Sequence, residues 1–388
     1  MSKTEFHKIS LEDLQLGNPV PWDIYDASER LLVRKGFIPQ SERQVETLID
    51  RGLFVNAEEY RQSHPVSDAS SVAIGNQPQH HVLSRMADAH NIIQNITLGI
   101  VAQAPLANTP QEVIRVVNVL DEVITTNPDI ALACILFKQT AEGYSNRHLM
   151  DAAILSIIVA KAMQLTKDEV ESIAAAALTM NIGMLRLQEQ LQNRAEPPTN
   201  EERVLIRNHP EISVALLKQA GVTDALWLSC VLNHHEHVDG SGYPRGVTGD
   251  KTPDGAKIIA IADRYTAMIS PRKFRQAIHP TQAIRSLLMD RDKSCDAKIT
   301  ETFIKKLGVY PPGSCVKLAS KEIAVVLFNG LTATTPAVQA IKDPLGDPMP
   351  YPLNRNTGTE RFAVKEGVLL EAKDIPFTMQ QIWGGQAT

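Results

Sequence analysis

The sequence predicts a mainly helical protein with small β-containing segments at both ends. Three observations support this fold class. The middle of the chain repeats apolar residues at three- and four-residue intervals, as between Ile154 and Met163. The same region repeats helix-start signals such as Thr109-Pro110-Gln111-Glu112. Near both ends the helical period is replaced by short β-like apolar runs, for example 323–327.

Changes in composition along the chain predict four regions. Residues 1–62 mix strand-like runs with one helix and are expected to form a small α/β domain, and the turn-rich residues 63–80 form a linker. Residues 81–308 carry the helical pattern. Residues 309–388 begin near Pro311-Pro312-Gly313, lose the helical period and are expected to form a β-rich appendage.

Local signals place individual elements within these regions. Leu31–Val33 and Leu53–Val55 are predicted strands, and Ser41 caps a predicted helix that stops at Gly52. The helical region is predicted to contain helices near 82–102, 109–126, 129–141, 146–164, 167–180, 199–219, 223–235, 254–269 and 279–290.

Composition and charge exclude several classes of protein. The 388 residues are 43% hydrophobic and 21% charged, which suffices for a buried core and excludes a fully disordered chain. The net charge of -5 argues against a nucleic-acid polymer as partner. The 4 cysteines form no CxxC pair, which argues against a thiolate zinc site or a disulfide scaffold. With no secretory signal and no apolar run of bilayer length, we expect a cytoplasmic protein without a membrane span.

The most informative stretch is 233–244, which runs Asn-His-His-Glu-His-Val-Asp-Gly-Ser-Gly-Tyr-Pro. His234 and His235 end a predicted helix, and a turn-rich loop follows. Adjacent helical residues point about 100° apart, so the two imidazoles can share one site only where the helix ends and the chain turns. The residues alone leave two interpretations open: a metal or phosphate site, or a polar helix end with its capping loop.

The whole stretch resembles the HHExxDGxGYP signature of the HD-GYP family. That family belongs to the HD superfamily of metal-dependent phosphohydrolases, and its members hydrolyse the bacterial second messenger cyclic di-GMP. The resemblance covers roughly 146–290 and implies an HD-type helical bundle. It also implies that Gly242, Tyr243 and Pro244 belong to a ligand-binding loop.

Further residues match the family pattern in order and spacing. The resemblance implies metal ligands at His148, His209, His234, His235 and Asp263. It implies that Arg272 and Arg275, in a segment similar to RPYR, face the phosphates of a ligand. Taken singly, each residue has an ordinary structural explanation, such as a buried histidine or a solvated basic turn; their joint order favours the site. His237 and His279 match no ligand position and are expected on the surface.

The chain departs from the family at the His-Asp dyad that gives the family its name. Where the family has a segment like LHDIGK, this chain has Met180, Asn181 and Met184 in place of the histidine, the aspartate and the lysine. The resemblance implies two or three ions, usually iron or manganese, with the aspartate bridging two of them. Asn181 is neutral and cannot offset the repulsion between two cations, and a thioether suits these ions poorly.

The expected cofactor follows from the ligands that remain. His209, His234 and His235 form a three-histidine set that suits one ion, whereas His148 and Asp263 are left as a half-site. We expect at most one divalent ion, of iron, manganese or zinc, or none. No catalytic residue is assigned, because the dyad positions are degenerate.

The favoured hypothesis is a degenerate HD-GYP protein of cyclic di-GMP signalling with lost or reduced phosphodiesterase activity. It would bind cyclic di-GMP or a related nucleotide, or a partner with a diguanylate cyclase domain. One alternative is an active metal-dependent phosphodiesterase with a rearranged site. Another is a purely structural scaffold or dimerisation module, since the apolar helices around 82–140 could supply a homodimer surface.

Overall fold

A computed structural model provides the architecture. It describes residues 6–8, 19–26, 30–38, 54–56, 82–137, 143–273, 275–330 and 332–384. These residues form two compact units: Arg85–Ser314, and the described residues that precede and follow that range. The predicted helix from Ser41 to Gly52 and the predicted linker 63–80 lie outside the described residues.

The larger unit is a bundle of helices, and the predicted helices are found at the predicted places. The bounds are α1 Val82–Val101, α2 Thr109–Thr126, α3 Pro128–Leu136, α4 Tyr144–Ala162, α5 Lys167–Thr179, α6 Leu185–Gln192, α7 Asn200–Gln219, α8 Ala225–Asn233, α9 Asp254–Ile269, α10 Pro280–Met289 and α11 Ala297–Leu307.

Two of these helices were not predicted. The short helix α6 follows a 3₁₀ turn at Ile182–Met184 that interrupts the helical pattern. The helix α11 is capped by Asp296, whose carboxylate accepts a hydrogen bond from the backbone N–H of Ile299 at 3.1 Å. Aspartate is a common helix N-cap, so the sequence does indicate the start of α11 at this position.

The predicted capping boxes form as the sequence indicates. Thr166 accepts a hydrogen bond from the backbone N–H of Glu169, and the Glu169 carboxylate accepts one from the backbone N–H of Thr166 at 2.8 Å. Thr199 and Glu202 repeat the arrangement at the start of α7. These caps satisfy backbone groups that the first turn of a helix leaves without partners.

Helices α4 and α5 occupy the centre of the bundle. From Leu149 to Ala160 every residue of α4 is buried, and from Ala174 to Leu178 the residues of α5 have no exposed surface. A helix covered on all sides has no polar face, which explains its near-continuous apolar sequence. Functional side chains on the buried helix α4 are therefore held by packing from several directions.

One stretch of the described residues is long and apolar enough to cross a membrane by length and composition. It is Lys167–Gln192, and 72% of its apolar window is buried within the protein.

The smaller unit contains two antiparallel sheets and confirms the β-like segments at both ends. The first has strands β1 Phe6–Lys8, β2 Ile24–Tyr25, β3 Leu31–Val33 and β4 Phe54–Asn56 in the order β1-β4-β2-β3. The second has strands β5 Cys315–Leu318, β6 Ile323–Phe328, β7 Ala337–Lys342, β8 Pro348–Asn356 and β9 Val364–Val368 in the order β8-β7-β6-β5-β9. The predicted fold class, a helical bundle with small sheets at both ends, is confirmed.

The buried Ser213 of α7 forms two hydrogen bonds with the turn that follows α5. The Ser213 hydroxyl donates to the carbonyl oxygen of Met180 at 2.8 Å and accepts from the backbone N–H of Gly183 at 2.9 Å. A Cβ on Gly183 would lie 2.6 Å from the carbonyl oxygen of His209, so only glycine fits this contact. The positions of Met180 and Asn181 are thereby set relative to His209.

Replacing Ser213 by alanine is expected to lower the free energy of unfolding by about 1–3 kcal/mol, because two buried backbone groups lose their partner. The matched control is Ser156→Ala in α4. Ser156 is also fully buried, but its hydroxyl has no hydrogen-bond partner among the described residues, so its loss should change the free energy of unfolding by less than about 0.5 kcal/mol. Urea unfolding of both variants measures the difference. Equal destabilisation by the two substitutions would contradict the assigned role of Ser213.

Candidate metal centre

Three of the predicted ligand histidines lie together inside the helical bundle. His209 comes from α7, and His234 and His235 follow the last residue of α8. One ring nitrogen from each lies within 4.8 Å of the others. The rings of His234 and His235 have centroids 4.2 Å apart, so the end of α8 does allow two adjacent imidazoles to turn toward one point.

Backbone hydrogen bonds fix the orientation of two of these imidazoles. Nδ1 of His209 donates to the carbonyl oxygen of Ile206 at 2.6 Å, and Nδ1 of His234 donates to the carbonyl oxygen of Val231 at 2.7 Å. A carbonyl oxygen only accepts, so the proton of each ring lies on Nδ1 and leaves a lone pair on Nε2. Metal-binding histidines are held in this way in many proteins.

The two Nε2 atoms then face each other across 3.2 Å. Ligand nitrogens about 2.1 Å from one ion, separated by 90° to 109°, are roughly 3.0–3.4 Å apart. The spacing therefore fits two ligands of a single ion. Without a cation or a proton between them, the two lone pairs would repel.

Burial keeps the cluster neutral at physiological pH. Burial and then the neighbouring His234 lower the pKa of His209 to about 3. Burial also lowers the pKa of His234, although the nearby Asp263 carboxylate opposes the shift. Burial and then His234 hold the pKa of His235 well below its usual range. Neutral imidazoles are the form that binds a metal, so the cluster needs no deprotonation before binding an ion.

The remaining two predicted ligands form a pair of their own. Nε2 of the buried His148 donates a hydrogen bond to Oδ1 of Asp263 at 2.7 Å. Burial raises the pKa of Asp263, but the hydrogen bond and the charge of His148 outweigh it and bring the pKa below its usual value. The imidazole and the carboxylate satisfy each other, so this half of the site is stable without an ion.

Met180 and Asn181, the residues at the predicted dyad positions, lie on the turn that hydrogen bonds of Ser213 connect to α7. Met180 is fully buried, and Asn181 is 1% exposed. The amide oxygen of Asn181 has no hydrogen-bond partner among the described residues. A buried carbonyl oxygen without a partner is unfavourable by about 1–3 kcal/mol, and a cation or an ordered water would satisfy it. The three histidines therefore fit one cation, and Asn181 contributes a neutral amide where the resemblance implies an anionic residue.

The loop 236–249 is fastened through Glu236. The buried Glu236 carboxylate accepts hydrogen bonds from the backbone N–H groups of Arg245 at 2.7 Å and of Val247 at 3.1 Å. Gly242 passes so close to the chain that a Cβ there would lie 2.5 Å from the carbonyl oxygen of His235. Both contacts bring the following residue, Tyr243, back over the histidine cluster.

Tyr243 covers one face of the cluster. Its ring stacks on His235 with centroids 4.6 Å apart, and its backbone N–H donates to the carbonyl oxygen of His235 at 3.1 Å. Pro244 follows it and is half-buried. The guanidinium of the exposed Arg207 also lies over the Tyr243 ring, 5.3 Å from its centroid.

The two predicted phosphate-facing arginines have different environments. Arg272 donates through Nη2 to the hydroxyl of Tyr144 at 2.8 Å and lies over that ring. Tyr144 in turn stacks on His148, with centroids 5.6 Å apart. Arg275 is exposed and donates to the backbone carbonyl of Ala267. Arg272 is thus linked to the site through an aromatic ring, whereas Arg275 stabilises the turn.

Sequence reasoning missed three residues of the site: Tyr144, Arg207 and Glu236. Tyr144 lies four residues before His148, and residues at this spacing are neighbours on one face of a helix. The sequence could therefore have indicated that Tyr144 lies near the site. Glu236 stands inside the recognised motif. The prediction that His279 is a surface residue is wrong, because His279 is 5% exposed and caps α10 by accepting from the backbone N–H of Thr281.

The family comparison agrees with this geometry. Residues 132–299 match the family model described as an HD domain, a range that includes all five predicted ligands. This part of the chain is therefore similar to HD domains, and the curated proteins that it matches include cyclic di-GMP phosphodiesterases.

Two of the similar proteins are named as cyclic di-GMP phosphodiesterases. The chain is 28% identical over 226 residues to cyclic di-GMP phosphodiesterase PA4108 of Pseudomonas aeruginosa, covering 57% of this chain and 54% of that one. It is 26% identical over 185 residues to cyclic di-GMP phosphodiesterase PdeB of Borreliella burgdorferi, covering 48% of each. The chain thus spans about half the length of these relatives.

A solved structure shares the fold. Bd1817, described as a HDG"Y"P protein from Bdellovibrio bacteriovorus, superposes with a TM-score of 0.50 at 15% sequence identity. The match covers 78% of this chain and 99% of that one. It supports the architecture alone.

Removal of one imidazole from the cluster should weaken metal binding. We expect His235→Ala to lower the affinity for zinc or manganese by at least about 10–100-fold, because a ligand is lost and not merely loosened. Equilibrium dialysis with elemental analysis measures the affinity. His237→Ala is the matched control, because that imidazole bonds the hydroxyl of Ser241 at 2.9 Å and lies outside the cluster. Equal metal binding by both variants would exclude the three-histidine centre.

Proposed function

We propose that this protein binds cyclic di-GMP or a related cyclic dinucleotide at its HD domain and has lost most or all phosphodiesterase activity. The observation that carries the proposal is Asn181, a buried and neutral residue at the predicted dyad position in a chain that keeps the three-histidine cluster. The names of the relatives supply the ligand class, and the retained loop around Tyr243 supports recognition of a ligand at this place.

Charge is the reason for proposing a single ion. Two divalent cations a few ångströms apart repel strongly, and an anionic bridge is what makes such a pair stable. Asn181 contributes no charge, and the carboxylate of Asp263 is engaged by His148. His209, His234 and His235 would hold one ion, with the amide oxygen of Asn181 as a further neutral donor. Such an ion supplies positive charge to which a phosphate oxygen can bind.

The chain's own residues would position the ligand. Tyr243 shields His235 from solvent and offers an aromatic face, while Glu236 holds the loop that carries it. Arg272, fixed by Tyr144, supplies a cation on the side of His148. A stacking face and a fixed guanidinium suit a ligand that combines bases with phosphates.

Restoring the dyad tests this proposal. The double variant Met180→His/Asn181→Asp should raise the metal content from at most one ion per chain to two. Hydrolysis of cyclic di-GMP should rise by about 100-fold or more, because two ligands are regained together. Elemental analysis and chromatography of the nucleotide products measure both. The control variant, Met180→Leu/Asn181→Ser, changes the same two buried positions without adding an anionic or imidazole ligand.

The outcomes separate the alternatives. Efficient hydrolysis by the natural protein, abolished by His235→Ala, would overturn the proposed loss of activity and favour a phosphodiesterase with a rearranged site. Absence of cyclic dinucleotide binding by calorimetry, even at high concentration, would overturn the binding function and favour a structural role.

A further inference from the structure

The site includes two similar stacks of side chains. In the first, the guanidinium of Arg207 lies over Tyr243, and Tyr243 stacks on His235. In the second, the guanidinium of Arg272 lies over Tyr144, and Tyr144 stacks on His148. Each stack has the order arginine, tyrosine, histidine.

The two arginines differ in how they are held. Arg272 donates a hydrogen bond to Tyr144 and is half-buried. Arg207 is exposed, and among the described residues no carboxylate lies within ion-pair distance of it and no hydrogen bond engages its guanidinium. The aromatic ring therefore orients the Arg207 guanidinium without using its N–H donors. A charged group held in place with its donors available is suited to binding an anion.

We propose that Arg207 binds a phosphate of the cyclic dinucleotide, an inference that rests on the proposed function. A cyclic dinucleotide carries two phosphates on one ring. The two arginine stacks, one ending on His235 and one on His148, would supply one cation for each phosphate. Stacking on Tyr243 leaves the edge of the planar guanidinium open, and that edge matches two oxygens of a phosphate. The ligand would thus reach from Arg272 to Arg207 across the histidines.

Calorimetry with cyclic di-GMP tests the contribution of Arg207 to affinity. We expect Arg207→Gln to weaken binding by about 10–100-fold, as is typical when a charge-assisted hydrogen bond to a phosphate is lost. Arg207→Lys retains the charge without the planar fork and should give an intermediate affinity. The matched control is Arg203→Gln, which removes another exposed arginine one helical turn away in α7; its affinity should stay within about twofold of that of the natural protein.

Phosphorus NMR of the bound nucleotide distinguishes a phosphate contact from other roles. In Arg207→Gln the bound resonance of one phosphate should move, while Arg203→Gln should leave both unchanged. Affinity of Arg207→Gln within twofold of the natural protein would overturn the inference. So would a loss of affinity with both phosphate resonances unmoved, which would indicate a contact to a base or a purely structural effect on the loop. Failure of the natural protein to bind cyclic di-GMP would instead overturn the proposed function, and the inference with it.

Discussion

The chemistry of this site depends on two backbone carbonyls that hold two imidazoles. Ile206 and Val231 accept the Nδ1 protons of His209 and His234, so both Nε2 lone pairs point into the same buried space. Burial keeps the rings neutral, which removes the proton that could otherwise relieve their repulsion. The fold thus maintains an arrangement that is unfavourable by itself and favourable around a cation. Each carbonyl lies three residues before its histidine, so the geometry is local to α7 and α8.

The predicted ligands form two groups of different character. One group is the neutral histidine cluster, which a cation would complete. The other is the pair of His148 and Asp263, which completes itself through a hydrogen bond of 2.7 Å. In the family pattern an anionic residue at the position of Asn181 would join the groups. With a neutral amide there, a second cation would lack the anion that offsets its repulsion from the first, and the Asp263 carboxylate keeps its hydrogen bond with His148.

Much of the fold and part of the site could be predicted because their signals are local. Caps such as Thr166 and the apolar spacing of α4 depend on neighbours in the sequence, and the predicted helices are found there. The three-histidine cluster followed from the resemblance, not from periodicity. The contact of Arg207 with Tyr243 joins distant parts of the chain, and no local pattern indicates it. His279 was placed wrongly on the surface because burial depends on how α10 packs, which spacing alone does not show.

The most direct test of this account is the number of metal ions per chain in the natural protein. Elemental analysis of protein purified without chelators, checked against its concentration by amino-acid analysis, measures that number. We predict no more than one ion per chain, because the histidine cluster is the one group of three or more metal-binding side chains among the described residues. Two or more stoichiometric iron or manganese ions per chain would contradict it, since they would show that Asn181 does not prevent a second ion from binding.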